Sequence, residues 1–588
     1  MLRRELVNRL RQAMVDADYS LDPVLERLGE TGQAGLARNT TVAAEAALGD
    51  AQDAQATLIR LFPLQLTVSE AAARHVLPVD ELVDAGILQH SSPPSTSGPQ
   101  VTAAPSRPSA RGVSSLAVPE SPDIIEEATT SWLRAAIDIR PYGFADELGE
   151  WSGWVASDLQ PGLNLRPVPM RPDHVLGINP ASTTLAQLTV PTHVQDALDL
   201  GAGCGVQTLH LARHSARVVA TDLNPRACDL ASLTLALNGL SETPGAGSLG
   251  SATADLIGAS AADRPMSATA RFTDASAADH SGGSALASAG RRRPRIEIRQ
   301  GNLYAPVADE RFDLIVSNPP YVISPPRPRE QRLLYRESEL SGDGLVEQVV
   351  REAPSHLREG GVLQILANWA ITADQPWQER LASWVRGSGC DLWVVQREQL
   401  DPFAYVELWL ADAGLAGSPR WRTAYDDWLA YFHRCGITGI GMGWITLVRA
   451  GHDHPRIEFD DWPHPVAQPL GPAIAAHQTA LAAAELPDER LLAARWRLDA
   501  GVVQRTTGRP GADDPMRVTL AQTTGFLRTM EVDTALGGVL GACDGDLPLG
   551  PILDAVEQLL DEPVGSLQAR LLPRIRRAIR EGYLAEAT

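Results

Sequence analysis

The stretch that decides the fold is residues 197–206, which read Ala-Leu-Asp-Leu-Gly-Ala-Gly-Cys-Gly-Val. Its first half predicts a short buried strand, its three glycines predict a tight turn, and residues 207–214 predict a helix. Glycine lets a backbone turn sharply and approach a ligand closely, and the start of a helix offers free N–H groups. The spacing Asp-x-Gly-x-Gly-x-Gly differs from the Gly-x-Gly-x-x-Gly of pyrophosphate-binding loops. The stretch therefore predicts an α/β fold with a ligand site at this loop.

Two further predicted strands end in residues that suit a nucleoside. Residues 217–221 predict the second strand, which ends at Asp222, a position where a carboxylate can bridge two ribose hydroxyls. The alternative role for Asp222 is a cap for the helix predicted from Pro225 onward. Residues 295–299 predict the third strand, and the segment 301–303 (Gly-Asn-Leu) follows it, where the edge of an adenine would lie.

A fourth predicted strand, residues 312–317, leads into Asn318-Pro319-Pro320-Tyr321. The prolines fix φ and lack N–H donors, so the loop presents carbonyl oxygens. The Asn318 amide oxygen and the Pro319 carbonyl can accept hydrogen bonds from both hydrogens of an –NH2 group. Tyr321 can stack on the flat group that carries this nitrogen. The alternative is an ordinary strand exit in which the two prolines only break the strand.

The order of these elements resembles the class I S-adenosylmethionine-dependent methyltransferases. The Asn-Pro-Pro-Tyr motif, with Tyr335-Arg336-Glu337 and residues 341–345 downstream, is similar to the HemK-type branch, the glutamine and amino-nitrogen methyltransferases. The resemblance is strong over residues 170–370. It implies a Rossmann-like α/β fold with a seven-stranded, mostly parallel sheet, and S-adenosyl-L-methionine as the methyl donor without a metal.

The resemblance also implies which residues form the site. The catalytic residues would be Asn318, Pro319, Pro320 and Tyr321. The donor would be bound by Asp199, Gly201, Ala202, Gly203, Cys204, Gly205, Asp222, Asn302, Leu303 and Asn318. Two positions depart from the family: Asn302 replaces the usual Asp, and residues 170–177 lack the Arg-Pro-Glu-Thr-Glu pattern of release-factor enzymes.

Composition places the chain among globular proteins. It has 588 residues, 44% of them hydrophobic, so more than one domain is expected. We find no apolar run of membrane-spanning length and no secretion signal at the start, and the five cysteines lack paired spacing. A reduced, cytoplasmic protein is therefore expected. The net charge of −21 disfavours sequence-independent nucleic-acid binding, which depends on neutralising phosphates.

Helical patterns and composition divide the chain into units. We predict a helical, winged-helix-like domain at residues 1–90, a flexible linker at 91–116, a methyltransferase domain at 117–455 and a second winged-helix-like domain at 456–588. Residues 241–293 are predicted to be a low-complexity insertion. On the last helix, Arg570, Arg574 and Arg577 share a face that is either a phosphate-contacting surface or a solvated helix surface.

Together these features predict an N-methyltransferase that acts on a planar amide or amino nitrogen, with a protein glutamine favoured. The alternatives are a nucleobase amine (adenine N6 or guanine N2) in RNA or DNA, a small-molecule acceptor, and a non-catalytic scaffold that only binds the donor. The acceptor is thus a protein or a nucleic acid, and no membrane partner is expected. The oligomeric state is not indicated by the sequence.

Overall fold

The computed structural model describes residues 4–93, 131–165, 170–240, 293–328, 332–451, 455–510 and 515–587. The predicted insertion at 241–293 falls almost entirely outside these described residues, as does most of the predicted linker at 91–116.

The N-terminal unit is a helical bundle with a small antiparallel sheet. Its helices are α1 (Arg4–Asp16), α2 (Leu21–Ala37), α3 (Val42–Leu48), α4 (Ala54–Leu61), α5 (Glu70–Val76) and α6 (Val79–Asp84). Its strands β1 (Val68–Ser69), β2 (Leu88–Ser91) and β3 (Trp132–Ala135) have the order β1-β3-β2. Strand β3 lies in the range predicted for the methyltransferase domain, yet it pairs with β1 and β2. A two-stranded hairpin follows, β4 (Asp138–Asp146) and β5 (Gly149–Ser157).

The central unit is an eight-stranded sheet flanked by helices. Its strands are β6 (Val194–Leu200), β7 (Ser215–Asp222), β8 (Arg295–Gln300), β9 (Phe312–Ser317), β10 (Leu357–Thr372), β11 (Asp391–Leu400), β12 (Ile437–Val448) and β13 (Ile457–Asp461). Its helices are α7 (Pro180–Leu188), α8 (Val206–His214), α9 (Pro225–Leu237), α10 (Gly344–His356), α11 (Trp377–Trp384), α12 (Pro402–Asp412) and α13 (Trp421–Arg434).

The strand order is β13-β11-β12-β10-β9-β6-β7-β8. Strands β6 to β10 run parallel to one another, and β12 is antiparallel to both β10 and β11. This mostly parallel sheet with helices between its strands confirms the predicted α/β class and the Rossmann-like arrangement.

One feature of the sheet differs from the prediction of seven strands. Strand β13, which we predicted to belong to the C-terminal domain, pairs in parallel with β11 and forms an eighth strand at the edge. Its sequence alternates apolar and acidic residues, so Ile457 and Phe459 lie on one face of the sheet, and Glu458 and Asp460 lie on the other. Phe459 packs edge-on against Trp377, with ring centroids 5.3 Å apart. The acids of β13 face the C-terminal unit: Glu458 pairs with Arg580, and Asp460 lies 3.1 Å from Arg528.

Register explains why the predicted site residues meet. Leu200 at the end of β6 lies opposite Ser317 of β9 on one side and Thr221 of β7 on the other. The carboxyl ends of three neighbouring parallel strands therefore open at one edge of the sheet. In open α/β sheets this edge is where ligands bind.

The β4–β5 hairpin joins the N-terminal unit to the central sheet. The backbone N–H of Trp154 donates to the Asn238 side chain at 3.0 Å, just after α9. The Trp154 indole N–H donates to the carbonyl of Tyr19 at 2.7 Å, and the Tyr19 hydroxyl donates to the carbonyl of Ile139 at 2.8 Å. These buried bonds fix the N-terminal bundle against the helices beside the glycine loop.

The C-terminal unit contains five helices and two small antiparallel sheets. Its helices are α14 (Gly471–Ala484), α15 (Asp488–Ala493), α16 (Thr534–Gly541), α17 (Leu549–Leu559) and α18 (Ser566–Arg580). Its strands are β14 (Arg495–Leu498), β15 (Val502–Thr507), β16 (Arg517–Gln522), β17 (Thr529–Val532), β18 (Asp544–Pro548) and β19 (Leu584–Glu586). Leu571, Ile575 and Ile579 of α18 are buried in its core. Among the described residues, none of the helices has both the length and the apolar composition to cross a lipid bilayer.

Candidate active site

The glycine loop between β6 and α8 forms the floor of the site. Gly201, Gly203 and Gly205 have φ values of 82°, 55° and 84°, a left-handed conformation that strains residues with side chains. The N–H groups of Gly201 and Ala202 donate to the carbonyl of Thr221 at 2.8 and 3.0 Å. The loop is thus bound to the end of β7, and the start of α8 faces the same edge of the sheet.

Asp222 links the glycine loop to the loop after β7. One carboxylate oxygen accepts from the N–H of Gly203 at 2.9 Å and the other from the N–H of Asn224 at 2.8 Å. Burial raises the pKa of Asp222, an effect that these backbone hydrogen bonds partly offset. Because a carboxylate offers about four lone pairs, both oxygens can still accept hydrogen bonds from a ligand hydroxyl.

The turn after β8, residues 301–303, forms another part of the cavity lining. The N–H of Gly301 donates to the carbonyl of Asp222 at 2.9 Å, which holds this turn beside Asp222. A Cβ atom on Gly301 would lie 2.3 Å from the Pro306 ring, so this position requires glycine. Leu303 has a φ of 45°, an unusual conformation for a residue with a side chain.

Asn318 stands at the end of β9, beside the glycine loop. The preceding Ser317 hydroxyl donates to the carbonyl of Leu200 at 2.6 Å, which joins the ends of β9 and β6. The Asn318 side-chain oxygen is buried and has no hydrogen-bond partner among the described residues. A buried acceptor without a partner is costly, and in native structures such a group calls for an explanation such as a missing ligand.

These elements enclose one cavity of about 330 Å³. The predicted site residues that line it are Gly201, Ala202, Gly203, Cys204, Asp222, Asn302, Leu303, Asn318, Pro319 and Pro320. Three predicted site residues are not among its described lining: Asp199, Gly205 and Tyr321. A cavity of this size is within the range of small-molecule sites.

Asp199 and Gly205 flank the cavity lining and contact helices α8 and α9, respectively. One oxygen of the buried Asp199 carboxylate accepts from the Thr208 hydroxyl of α8 at 2.6 Å, and the other has no described partner. Burial raises the pKa of Asp199 to about 7. At Gly205, an added Cβ would lie 3.3 Å from Ala231 of α9, so the loop and this helix approach closely. Direct donor contact by these two residues stays a prediction.

Tyr321 packs away from the cavity lining. Its ring lies edge-on to Trp409 of α12, with centroids 6.4 Å apart, and burial raises the pKa of its phenol to about 12. The expected stacking of Tyr321 on an acceptor therefore stays a prediction, and the observed contact instead anchors the end of the Asn-Pro-Pro-Tyr loop on α12.

His174 is a lining residue that the sequence did not single out. It is buried, its Nε2 has no hydrogen-bond partner among the described residues, and its Nδ1 lies 3.8 Å from an Asp158 oxygen. Asp158 is already paired with Arg226. Burial lowers the pKa of His174, so the ring is neutral near pH 7 and can donate or accept at Nε2. The only sequence signal was its position directly after Arg171-Pro172-Asp173.

The segment after the Asn-Pro-Pro-Tyr motif folds back over the cavity. The N–H of Val322 donates to the carbonyl of Arg336, and the N–H of Leu334 donates to the carbonyl of Pro172, both at 3.0 Å. Arg332, Tyr335, Glu337, Ser338, Glu339 and Leu340 thereby line the cavity. Arg336 is engaged elsewhere through a terminal nitrogen, which donates to Asp412 at 2.7 Å and to the Trp409 carbonyl at 3.0 Å, while its buried Nε has no hydrogen-bond partner among the described residues.

The arginines of α18 are paired with acids. Arg570 binds Glu562 at 2.6 Å, Arg574 binds Asp533, and Arg577 binds Glu581 at 2.8 Å. Of the two readings of this helix face, the described contacts agree with a solvated, salt-bridged surface. Within the described ranges, no group of three or more His, Cys, Asp or Glu side chains could hold a metal ion.

Comparison with known proteins agrees with this geometry. Residues 249–384 match the family model described as methyltransferase small domain, and residues 16–98 match a domain of unknown function, DUF7059. The chain is 32% identical over 98 residues to the ribosomal protein uL3 glutamine methyltransferase of Bradyrhizobium diazoefficiens, which is 16% of this chain and 31% of that protein. It is 39% identical over 80 residues to the release factor glutamine methyltransferase of Xylella fastidiosa, which is 13% of this chain and 29% of that protein.

The chain thus spans less than a third of the length of these curated relatives. The matched family, the two relatives and the observed sheet nevertheless converge on one kind of domain. The central part of this chain is thus similar in sequence to the methyltransferase small domain family and to these glutamine methyltransferases, and its mostly parallel sheet has the Rossmann-like α/β arrangement.

Proposed function

We propose that this chain is an S-adenosylmethionine-dependent N-methyltransferase that acts on a planar amide nitrogen, that of a protein glutamine. The observation that carries the proposal is the buried, unpartnered Asn318 oxygen in a cavity that also contains the glycine loop and Asp222. One wall of the cavity suits a nucleoside, and the other presents an acceptor for an –NH2 group.

The donor would lie over the glycine loop. Asp222 would accept hydrogen bonds from the ribose hydroxyls, while Asn302 and Leu303 would flank the adenine. The bound donor supplies an electrophilic methyl group on a sulfonium. The chain's part is to position the two reactants, which is the main contribution that such displacement reactions need.

The acceptor nitrogen would be held by the Asn-Pro-Pro loop. The Asn318 oxygen accepts a hydrogen bond from one amide hydrogen and the Pro319 carbonyl from the other, which turns the nitrogen towards the methyl group. As the new C–N bond forms and the C–S bond of the sulfonium breaks, the donor leaves as neutral S-adenosylhomocysteine. The nitrogen becomes more positive, both oxygens interact more strongly with it, and it then releases one proton to solvent. Binding that strengthens in the transition state accelerates the reaction.

Three observations support a protein acceptor over a nucleic acid. The relatives named above are glutamine methyltransferases of a ribosomal protein and of release factor. The net charge is −21, and the arginine face of α18 is neutralised by its own acids. Free cations on that face would be needed to bind phosphates.

The experiment that tests the proposal is methylation of an extract from a strain lacking this chain. The full chain and radiolabelled donor are added, and the products are digested separately with protease and with nuclease. We expect protease-sensitive label, recovered as N5-methylglutamine after complete digestion, and no label with the Asn318→Ala variant. Label released by nuclease would identify a nucleobase acceptor instead. Saturable donor binding without transfer to any fraction would identify a donor-binding scaffold.

A further inference from the structure

Arg332 differs from the other charged residues of the cavity. Among the described residues that line it, Asp222, Glu337 and Glu339 are acids, and Arg332 is the one arginine. A ligand that brings its own carboxylate into this cavity therefore meets three acids and a single guanidinium.

The Arg332 guanidinium is buried with little to bind. Its Nε is buried and has no hydrogen-bond partner among the described residues. Among the described residues, the acid that pairs with it is Glu339, at 3.6 Å from the terminal nitrogen, a distance too long for a hydrogen bond, and the Glu339 side chain is 72% exposed. Arg336, four residues on, also has an Nε without a described partner, but its terminal nitrogen lies 2.7 Å from Asp412, within hydrogen-bond distance.

A buried guanidinium without a close acid is unfavourable, because the loss of hydration is not offset by hydrogen bonds. Its planar set of N–H donors matches a carboxylate, which it can bind through two parallel bonds. Arg332 therefore lacks a carboxylate within hydrogen-bond distance among the described residues, and Glu339 fills that role only loosely.

The position of Arg332 in the fold indicates which carboxylate is missing. The segment that carries it is bound to residues 172–175 through the Leu334 N–H and the Pro172 carbonyl. It is also bound to the end of the Asn-Pro-Pro-Tyr loop through Val322 and Arg336. Arg332 is thus carried on the part of the cavity wall that joins Pro172 to the end of the Asn-Pro-Pro-Tyr loop, whereas the turn at Asn302, which would flank the adenine, follows another strand, β8.

We infer that Arg332 binds the carboxylate of the donor's amino-acid part and that this carboxylate displaces Glu339. The inference rests on the proposed function, since it assumes that S-adenosylmethionine occupies the cavity. It adds a specificity-determining residue: Arg332 makes the site select a donor that retains its carboxylate.

The test is calorimetric titration of the full chain with S-adenosylmethionine and with decarboxylated S-adenosylmethionine, which differ only in the carboxylate. We expect the wild-type chain to prefer the intact donor by about 10-fold or more, the usual effect of a charge-assisted hydrogen-bonded pair. In Arg332→Gln this preference should fall to about 2-fold or less, with the affinity for the decarboxylated donor nearly unchanged.

The matched control is Glu339→Gln, which removes the competing acid. It should retain the preference for the intact donor and bind that donor as tightly as the wild type or more tightly. Thermal unfolding of each variant reports whether it is folded, and Arg332→Lys, which keeps the charge but not the paired geometry, should retain part of the preference.

The outcomes separate the inference from the proposed function. Equal affinity of the wild-type chain for both donors would overturn the inference without the use of any variant. Full retention of the preference in Arg332→Gln would also overturn it. If the wild-type chain binds neither donor, the proposed function itself fails.

Discussion

Replacement of Asn318 by alanine separates acceptor positioning from every other role of the site. The Asn318 oxygen makes no hydrogen bond to the described protein, so its removal leaves no protein donor unpaired. The free energy of unfolding should therefore change by less than about 1 kcal/mol. Donor affinity should stay within roughly 3-fold, because Asp222 and the glycine loop are unaltered.

The rate of methyl transfer should fall far more. A hydrogen bond to a group that gains charge contributes about 1.5–3 kcal/mol, which is one to two orders of magnitude in rate. Loss of the second contact, to the Pro319 carbonyl, as the amide reorients should bring the total to roughly 100-fold or more. The expected change is in kcat, since the interaction strengthens in the transition state.

The assay is single-turnover transfer of labelled methyl at saturating donor, with donor affinity measured separately by calorimetry. Asn302→Ala is the matched control, because it removes the same amide from the opposite wall of the same cavity. It should weaken donor binding and leave the rate at saturation close to that of the wild type. Full turnover by Asn318→Ala would refute the role of the Asn-Pro-Pro loop and leave it as a strand exit.

Three further predictions concern the support of the site. Asp222→Ala should weaken donor binding by roughly 1–3 kcal/mol in calorimetry, with no effect of chelator, and unchanged affinity would refute the ribose assignment. Tyr321→Phe should retain nearly full activity, and a Phe variant as inactive as Asn318→Ala would reveal a chemical role for the phenol. Tyr321→Ala should lower the unfolding free energy by about 3 kcal/mol, because it leaves a cavity against Trp409. The pKa of Asp199 is raised to about 7 in the folded chain, above its unfolded value of about 4, so the wild type is relatively most stable below pH 4 and loses that stability as the pH rises to 7. The melting temperature of Asp199→Asn minus that of the wild type should therefore grow between pH 4 and 7 and level off above, and a gap independent of pH would contradict the raised pKa.

Local sequence determined the framework of the central domain. The predicted strands 217–221, 295–299 and 312–317 agree with β7, β8 and β9 within about two residues. Short apolar runs bounded by glycine or proline are reliable signals because their cause is local: these runs must be buried, and glycine and proline fix where the chain turns. The residues at the ends of parallel strands meet at one edge, so Asp222, Asn302 and Asn318 could be brought together from sequence.

Features that depend on contacts between residues far apart in the sequence could not be predicted from local sequence patterns. The eighth strand exists because β13 finds an open edge at β11, and its sequence alone did not distinguish that edge from a place in the C-terminal unit. The β4–β5 hairpin was missed because its burial is completed by α9 and by Tyr19. The face of α18 was ambiguous until its acids were located; Asp533 lies 41 residues from Arg574.

The sequence by itself thus determined the α/β class of the central sheet and the residues at which its strands end, and it predicted that the Asn318 amide lies beside the glycine loop. The tertiary structure alone decided that Tyr321 turns to Trp409, that His174 and Arg332 face the cavity, and that the α18 arginines are neutralised. The physical reason is the range of the interactions. A turn or a strand is specified by neighbouring residues, whereas the partner of a charge or a ring is whichever side chain the folded chain brings within a few ångströms.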